Sequence, residues 1–330
     1  MPYPPVGPMH PPLASESPFK SIRWPDEIVR IAPPRRKFRH RWWLHILLFL
    51  ITLLVTTAVG ALHYHSFISE FGRRQVPLTW GSLVHGLWYS LTLLGILGAH
   101  EFGHYYFCRR YNIDASLPYF IPAPLPLTGT LGAVIRIREA FPNRTILFDI
   151  GVGGPIAGFI VLVPALFIGM AMSNVVPVPS GSSVFYLGEP LLFQWVAALN
   201  FGTLSDKVTI NIHPMVFAAW FGMLATALNL LPFGQLDGGH ITYATLKRWS
   251  TPISLATVGV AIAMTYNSSS WTFMTLMMVV MLVLLGPRHP RVIWEEEPMP
   301  TSRYWVAALA LVIFIVCFTP VPIDTLIDSK

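Results

Sequence analysis

Long apolar runs separated by short polar breaks dominate the chain after residue 41. The runs at 42–62, 83–108, 145–172, 214–236, 252–266, 271–286 and 303–320 are continuous rather than periodic. Four of them exceed the ~18–20 residues that cross a hydrocarbon core of about 30 Å, and the two at 252–286 are short enough to form a helical hairpin that crosses incompletely. The pattern therefore predicts an all-α polytopic membrane protein of about seven transmembrane helices. Two connections depart from plain loops. Residues 115–140 begin with Pro118, Pro122, Pro124 and Pro126 and end in Ala133-Val134-Ile135-Arg136-Ile137-Arg138. That last stretch alternates apolar and charged residues, which predicts a small β-hairpin or sheet at the cytoplasmic face. The 173–213 connection holds an apolar piece, Pro190–Phe201, too short to span.

Residues 1–41 are rich in Pro, Ser and Arg and lack apolar periodicity, which predicts a disordered basic tail. The remainder divides into a first helix and outer loop (42–80), a core (81–248) and C-terminal helices (249–330).

Composition agrees with a membrane setting: 53% of residues are hydrophobic and 12% charged, against about 25% charged in soluble domains, and mean hydropathy is +0.55. The net charge of +6 raises the possibility of nucleic acid, but its distribution argues against that partner. With the N-terminus inside and seven spans, 18 of the 22 Lys and Arg fall on the cytoplasmic side, leaving only Arg73, Arg74, Lys207 and Lys330 outside. Such asymmetry is the positive-inside pattern. Trp42, Trp43, Trp80, Trp271 and Trp305 fall at span ends, as in an aromatic belt. Cys108 and Cys317 form neither a disulfide framework nor a thiolate site, so a metal would be bound by His and carboxylates.

The second run carries His100-Glu101-Phe102-Gly103-His104. Residues i and i+4 share a helix face, so both imidazoles can bind one ion. Glu101 beside them can act as general base, because zinc lowers the pKa of a bound water to about 7. Three ionisable groups on one turn inside a membrane segment cost at least roughly 2.5 kcal/mol each on insertion scales, and a shared metal offsets that cost. A catalytic zinc takes three protein ligands and one open position. Asp237, in Asn229-Leu230-Leu231-Pro232-Phe233-Gly234-Gln235-Leu236-Asp237-Gly238-Gly239, is the candidate third ligand. The second and fourth runs both point inward and bring these motifs to similar depth. Gly98 and Gly103 leave room for close approach, and Gly154 and Gly158 read as a helix-packing pair. His240 reads as a capping residue rather than a partner of the site. His63, His65 and His85 read as interfacial residues, and Glu295-Glu296-Glu297 as a solvated acidic run.

The two motifs together resemble the site-2 protease family of intramembrane zinc metalloproteases, and Gly154-Pro155-Ile156-Ala157-Gly158 resembles the small-residue motif of that family's intervening helix. The likeness covers roughly Leu83 to Lys247 and is greatest to the short bacterial and plastid branch without a PDZ domain. The resemblance implies one Zn2+ per chain on His100, His104 and Asp237, Glu101 as base, and Asn229 positioning or polarising the scissile carbonyl. It implies single-span membrane proteins as substrates, cut in or near their transmembrane helix. The edge of the 133–138 strand, through Val134, Ile135, Arg136 and Ile137, can hold an extended peptide by main-chain bonds. The expected setting is a bacterial plasma membrane with the N-terminus and site opening cytoplasmic; the oligomeric state is open. Two other classes compete. A metal-ion transporter also places His and acidic residues in the membrane, but no internal repeat accompanies them. A non-catalytic membrane adaptor is expected to have lost one of the four residues.

Overall fold

The computed structural model describes residues 41–325 apart from 78, 179–184, 267 and 287, so the tail predicted over residues 1–41 lies, but for Arg41, outside the described residues. The order is α1 (Trp42–Ile68), α2 (Trp80–His85), α3 (Leu87–Arg110), β1 (Tyr119–Pro122), β2 (Thr130–Val134), α4 (Arg144–Ala171), β3 (Asn174–Pro177), β4 (Phe185–Leu187), α5 (Leu191–Phe201), β5 (Val208–Asn211), α6 (Pro214–Asn229), α7 (Asp237–Leu246), α8 (Ser250–Met264), α9 (Ser270–Leu285), α10 (Thr301–Cys317) and β6 (Ile323–Thr325). Helix dominates, with two-stranded antiparallel sheets pairing β1 with β2, β3 with β5 and β4 with β6.

Among the described residues, three helical stretches are long and apolar enough to cross a membrane: Trp42–Ile68, Trp80–Arg110 and Arg144–Ala171. The predicted seven are therefore not all of spanning length. The run at 214–236 is helical only to Asn229. At 1.5 Å per residue its 16 residues reach about 24 Å, and α9 and α10 are similar. The chain stops α6 there because Leu231, Phe233 and Leu236 fold into tight turns, with Gly234 at φ +54°, a left-handed conformation that favours glycine.

α4 lies at the centre, packed against α3, α6 and α7. Its first turn is capped by Asn143, which accepts from Ile146 N at 2.9 Å and so satisfies one orphan donor. The main core gathers Ile96 of α3, Phe148, Leu162 and Leu166 of α4, and Trp220 and Met223 of α6, all 2% exposed or less. α6 begins on Pro214 with His213 as N-cap, accepting from Met215 N; proline at this place needs no donor.

The β1–β2 hairpin departs from expectation in two ways. The strand covers Thr130–Val134 rather than 133–138, because regular pairing with β1 ends where Val134 faces Tyr119; only the bridge Ala115–Ile137 continues it. Nor does the hairpin stay at one membrane face. His45, near the start of α1, bonds the Pro118 carbonyl. Gly129, at the hairpin tip, packs on Thr56 at the middle of the same helix. His63 and Tyr89 bond the Leu127 carbonyl further along. The hairpin thus runs along α1 for most of that helix. Strand pairing and these side chains satisfy part of its backbone, as irregular backbone inside a membrane protein requires.

Trp42, Trp43, Trp80 and Trp305 are exposed, but Trp271 is buried and donates to the Pro320 carbonyl, so it packs inside rather than in a belt. The acidic run at 295–297 is not merely solvated. The buried Arg144 guanidinium bonds the carbonyls of Glu295, Glu297 and Ala244 at 2.8–3.0 Å, and Asn143 Nδ2 donates to Glu297. The segment before α10 is thereby strapped across the starts of α4 and the end of α7.

Candidate metal centre

His100, Glu101 and His104 occupy adjoining positions on α3 and are all less than 9% exposed. Asp237 opens α7. It meets α3 because the turn after α6 folds α7 back on α6 so closely that a Cβ on Gly238 would stand 2.0 Å from the Leu230 carbonyl. Gly238 and Gly239 leave no room for a side chain against the Leu230–Gly234 turn, which lets α7 start directly under the end of α6.

His100 Nε2 is 3.1 Å from Asp237 Oδ2, His104 Nε2 is 3.3 Å from Asp237 Oδ1, and the two Nε2 atoms are 3.1 Å apart. Zinc bonds of about 2.0–2.1 Å in tetrahedral array put neighbouring ligand atoms about 3.3 Å apart. Two nitrogens and a carboxylate oxygen at this spacing fit a zinc ion, and they form the one metal-binding group of three or more such residues among the described residues.

The tautomer of His104 is fixed by its surroundings. Nδ1 donates to the Ile150 carbonyl at 2.7 Å, which leaves the Nε2 lone pair directed at the cluster. Ile150 lies on α4 one turn before Pro155, which has no N–H to return to Gly151, so that turn is loosened where it meets the imidazole. Gly154 and Gly158 do more than pack helices. A Cβ at Gly154 would fall 2.2 Å from His104 Nε2, and one at Gly158 would fall 3.2 Å from His100 Cβ. Gly103 allows the α3–α4 approach, its own Cβ position being 2.3 Å from the Gly153 carbonyl, whereas Gly98 meets only the Phe120 ring at 3.5 Å.

Asn229 ends α6, with Nδ2 3.2 Å from His100 Nε2. Glu101 turns away from the ligands toward the hairpin and accepts from Ile135 N at 3.0 Å. Beyond Val134 the chain pairs with 114–116: Ser116 N donates to the Arg136 carbonyl and Arg138 N to the Asp114 carbonyl. Alternation along an extended chain then turns the backbone groups of Ile135 and Ile137 to the opposite edge, the one that Glu101 occupies. A cavity of about 290 Å³ adjoins this edge, lined by His100, Glu101, Val134, Asn229, Leu131 and Met278 among others. Of the residues proposed for the site, His100, Glu101, Asn229 and Val134 line this cavity; His104 and Asp237 adjoin it through His100, and Ile135, Arg136 and Ile137 continue the edge beyond Val134.

A family model described as Peptidase family M50 matches residues 88–267. The chain belongs to peptidase family M50. This is the site-2 protease family. Among curated proteins, the M50 chain is 31% identical over 269 residues to a probable zinc metalloprotease EGY2, chloroplastic, of Oryza sativa subsp. indica, covering 76% of this chain and 48% of the relative. It is 31% identical over 238 residues to the EGY2 of Arabidopsis thaliana, covering 71% and 41%. It is 36% identical over 156 residues to the Arabidopsis EGY1, covering 45% and 27%. The chain thus spans about half the length of the EGY2 relatives it matches, or less. No solved structure matches it.

Among the described residues, His240 packs on Gly151 beside the cluster, and three other histidines lie away from it. His63, His65 and His85 each bond a backbone carbonyl, of Leu127, Val76 and Gly81. His240 is no cap: its Nδ1 is 2.6 Å from His289 Nε2, and His289 stacks on Tyr243. Burial, then the neighbouring His289, depresses the pKa of His240 to about 3. His289 and the Ile150 carbonyl were not legible in the sequence, since the first lies 49 residues away in a loop and the second is a main-chain group.

Proposed function

We propose that the chain hydrolyses peptide bonds in or near the transmembrane helices of single-span membrane proteins. The observation that carries this reading is the joining of three metal-type ligands, a carboxylate base and an open strand edge around one cavity. Zinc held by His100, His104 and Asp237 would supply Lewis acidity and a water of lowered pKa. Glu101, held by the Ile135 N–H, takes the proton of the attacking water and delivers it to the leaving nitrogen. Asn229 donates its amide N–H toward the carbonyl oxygen as charge develops there. An unwound substrate lies along this edge, its main chain pairing with the Ile135 carbonyl and the outward groups of Ile137, the Ile135 N–H staying with Glu101, while the side chains of Val134 and Arg136 flank it. The His104–Ile150 bond and Gly154 hold the ligand imidazole in place throughout.

The reading takes the seven apolar helices α1, α3, α4, α6, α8, α9 and α10 as spans in a bilayer. It sets 42–80, 81–248 and 249–330 as entry, catalytic and C-terminal regions. It places the N-terminus and the site opening in the cytoplasm of a bacterium; the relatives named above carry a chloroplast address. The charge distribution supports that orientation. Neither a transporter nor an adaptor accounts for a carboxylate base held on a strand edge.

Metal content of the purified chain by elemental mass spectrometry, beside His104→Ala and Asp237→Ala, is the deciding experiment. About one zinc per chain, strongly reduced in both variants, is expected, followed by cleavage of a model single-span substrate that Glu101→Gln does not support. Absence of zinc from the folded wild type, or zinc indifferent to Asp237, would remove the proposal.

A further inference from the structure

A second, larger cavity of about 850 Å³ lies between α3, α4 and α10. It uses the face of α3 opposite the metal ligands: Phe102 and Tyr106 line it, while His100 and His104 point the other way. Val152 and Ile156 of α4 and Val306 of α10 complete its apolar wall. Its size falls within the roughly 300–1,000 Å³ of small-ligand sites.

One end of this groove is polar, and it is where three helix ends meet: the C-terminus of α3 and the N-termini of α4 and α10. Arg303 clasps the buried Asp149 with both Nε and Nη2, at 3.1 and 2.9 Å, and Tyr111 donates to the same carboxylate. Asp149 is thereby fully engaged and its charge is offset. Arg110 also lines this end and is exposed, its guanidinium making no hydrogen bond or ion pair among the described residues. Ser302 offers a hydroxyl beside it. The polar end thus carries a net positive charge contributed by an unpaired guanidinium, beside an apolar slot.

We propose that this groove binds an anionic glycerophospholipid, an acyl chain lying against Phe102, Ile156 and Val306 and the phosphate meeting Arg110. The N-terminus of α10, whose first turn lines this end through Ser302 and Arg303, favours the same anion, and Arg110 offsets the opposing C-terminus of α3. Charge complementarity selects lipid headgroup sign, and the apolar wall selects lipid over a free anion. The site shares the Gly103–Gly153 helix crossing with the metal centre, but none of its ligands.

The test is native mass spectrometry of the full chain in detergent, with dioleoyl phosphatidylglycerol or dioleoyl phosphatidylcholine added at equal concentration. Wild type is expected to retain the glycerol lipid about fivefold better, the effect of one juxtamembrane arginine on an anionic headgroup. Arg110→Gln, an exposed position, is expected to abolish the preference. Val306→Trp, which fills the slot, is expected to lower retention of both lipids. Equal retention by wild type, or a preference that survives both substitutions, would overturn the proposal. Displacement by inorganic phosphate alone would leave only an anion site and overturn it as well. A dimer mass that Val306→Trp abolishes would assign the groove to a second copy instead. Zinc content of each variant reports that the fold is intact.

Discussion

His104 Nδ1 donates to the Ile150 carbonyl across the α3–α4 crossing at 2.7 Å, directly over Gly154. This contact fixes the tautomer of one imidazole of the cluster and makes one glycine indispensable to its placement. Gly154→Ala would put a methyl 2.2 Å from His104 Nε2, against rigid neighbours on both helices. Zinc affinity is expected to fall about 10–100-fold, the range seen when the support of a ligating histidine is lost. Competition with a chromophoric chelator measures it, and wild-type affinity in Gly154→Ala would disprove the contact's role.

Substitutions at Glu101 and Ile135 test the proposed catalytic step apart from metal binding. Glu101→Gln is expected to keep zinc and to lose about 10²–10⁴-fold in cleavage. Ile135→Pro removes the N–H that holds the carboxylate and distorts the edge, so cleavage is expected to fall at least tenfold, since a hydrogen bond to a charged group contributes about 1.5–3 kcal/mol. Zinc content in both should match wild type. Loss of zinc in either would show that the residue supports the metal site instead.

Asn229 lies within reach of the ligands without being one of them. Asn229→Ala is expected to retain zinc and to lower the cleavage rate about 10²–10³-fold, with little change in substrate affinity, as for the loss of one donor to a developing oxyanion. A change confined to substrate affinity would point to binding rather than charge stabilisation.

His213 caps α6 in its neutral form. Burial, and then the nearby His85, lower its pKa to about 4. The unfolded chain takes up this proton near pH 6.5 and the folded chain only near 4, so between those values the unfolded state binds more protons. Stability from this group is therefore full above about pH 6.5 and declines as pH falls toward 4. Thermal inactivation in detergent across that range should show the decline in wild type. His213→Asn, a cap that does not titrate, should flatten it; an unchanged pH profile in the variant would remove His213 as its source.

Much of this protein was written in its local sequence. The apolar runs located α1, α3, α4 and α10 to within a few residues, because a helix in lipid must satisfy its own backbone and carry apolar side chains all round. His100 and His104 were legible as a pair because the spacing of four is itself helix geometry. Asp237 was legible through its turn residues, since Pro232, Gly234 and Gly238 announce a break where a run of apolar residues would otherwise continue. What could not be read locally depends on which surfaces meet. Glu101 faces Ile135, His104 faces the Ile150 carbonyl, Arg144 holds the segment before α10, and Arg303 engages Asp149. Each joins residues 34 to 154 positions apart, and the first three involve main-chain groups, which have no sequence signature. The hairpin shows the same division. Alternation announced a strand, but its position along α1 was decided by the carbonyls that His45, His63 and Tyr89 bind. Periodicity records how a segment meets its own surroundings; partners distant in sequence are chosen only when the helices pack.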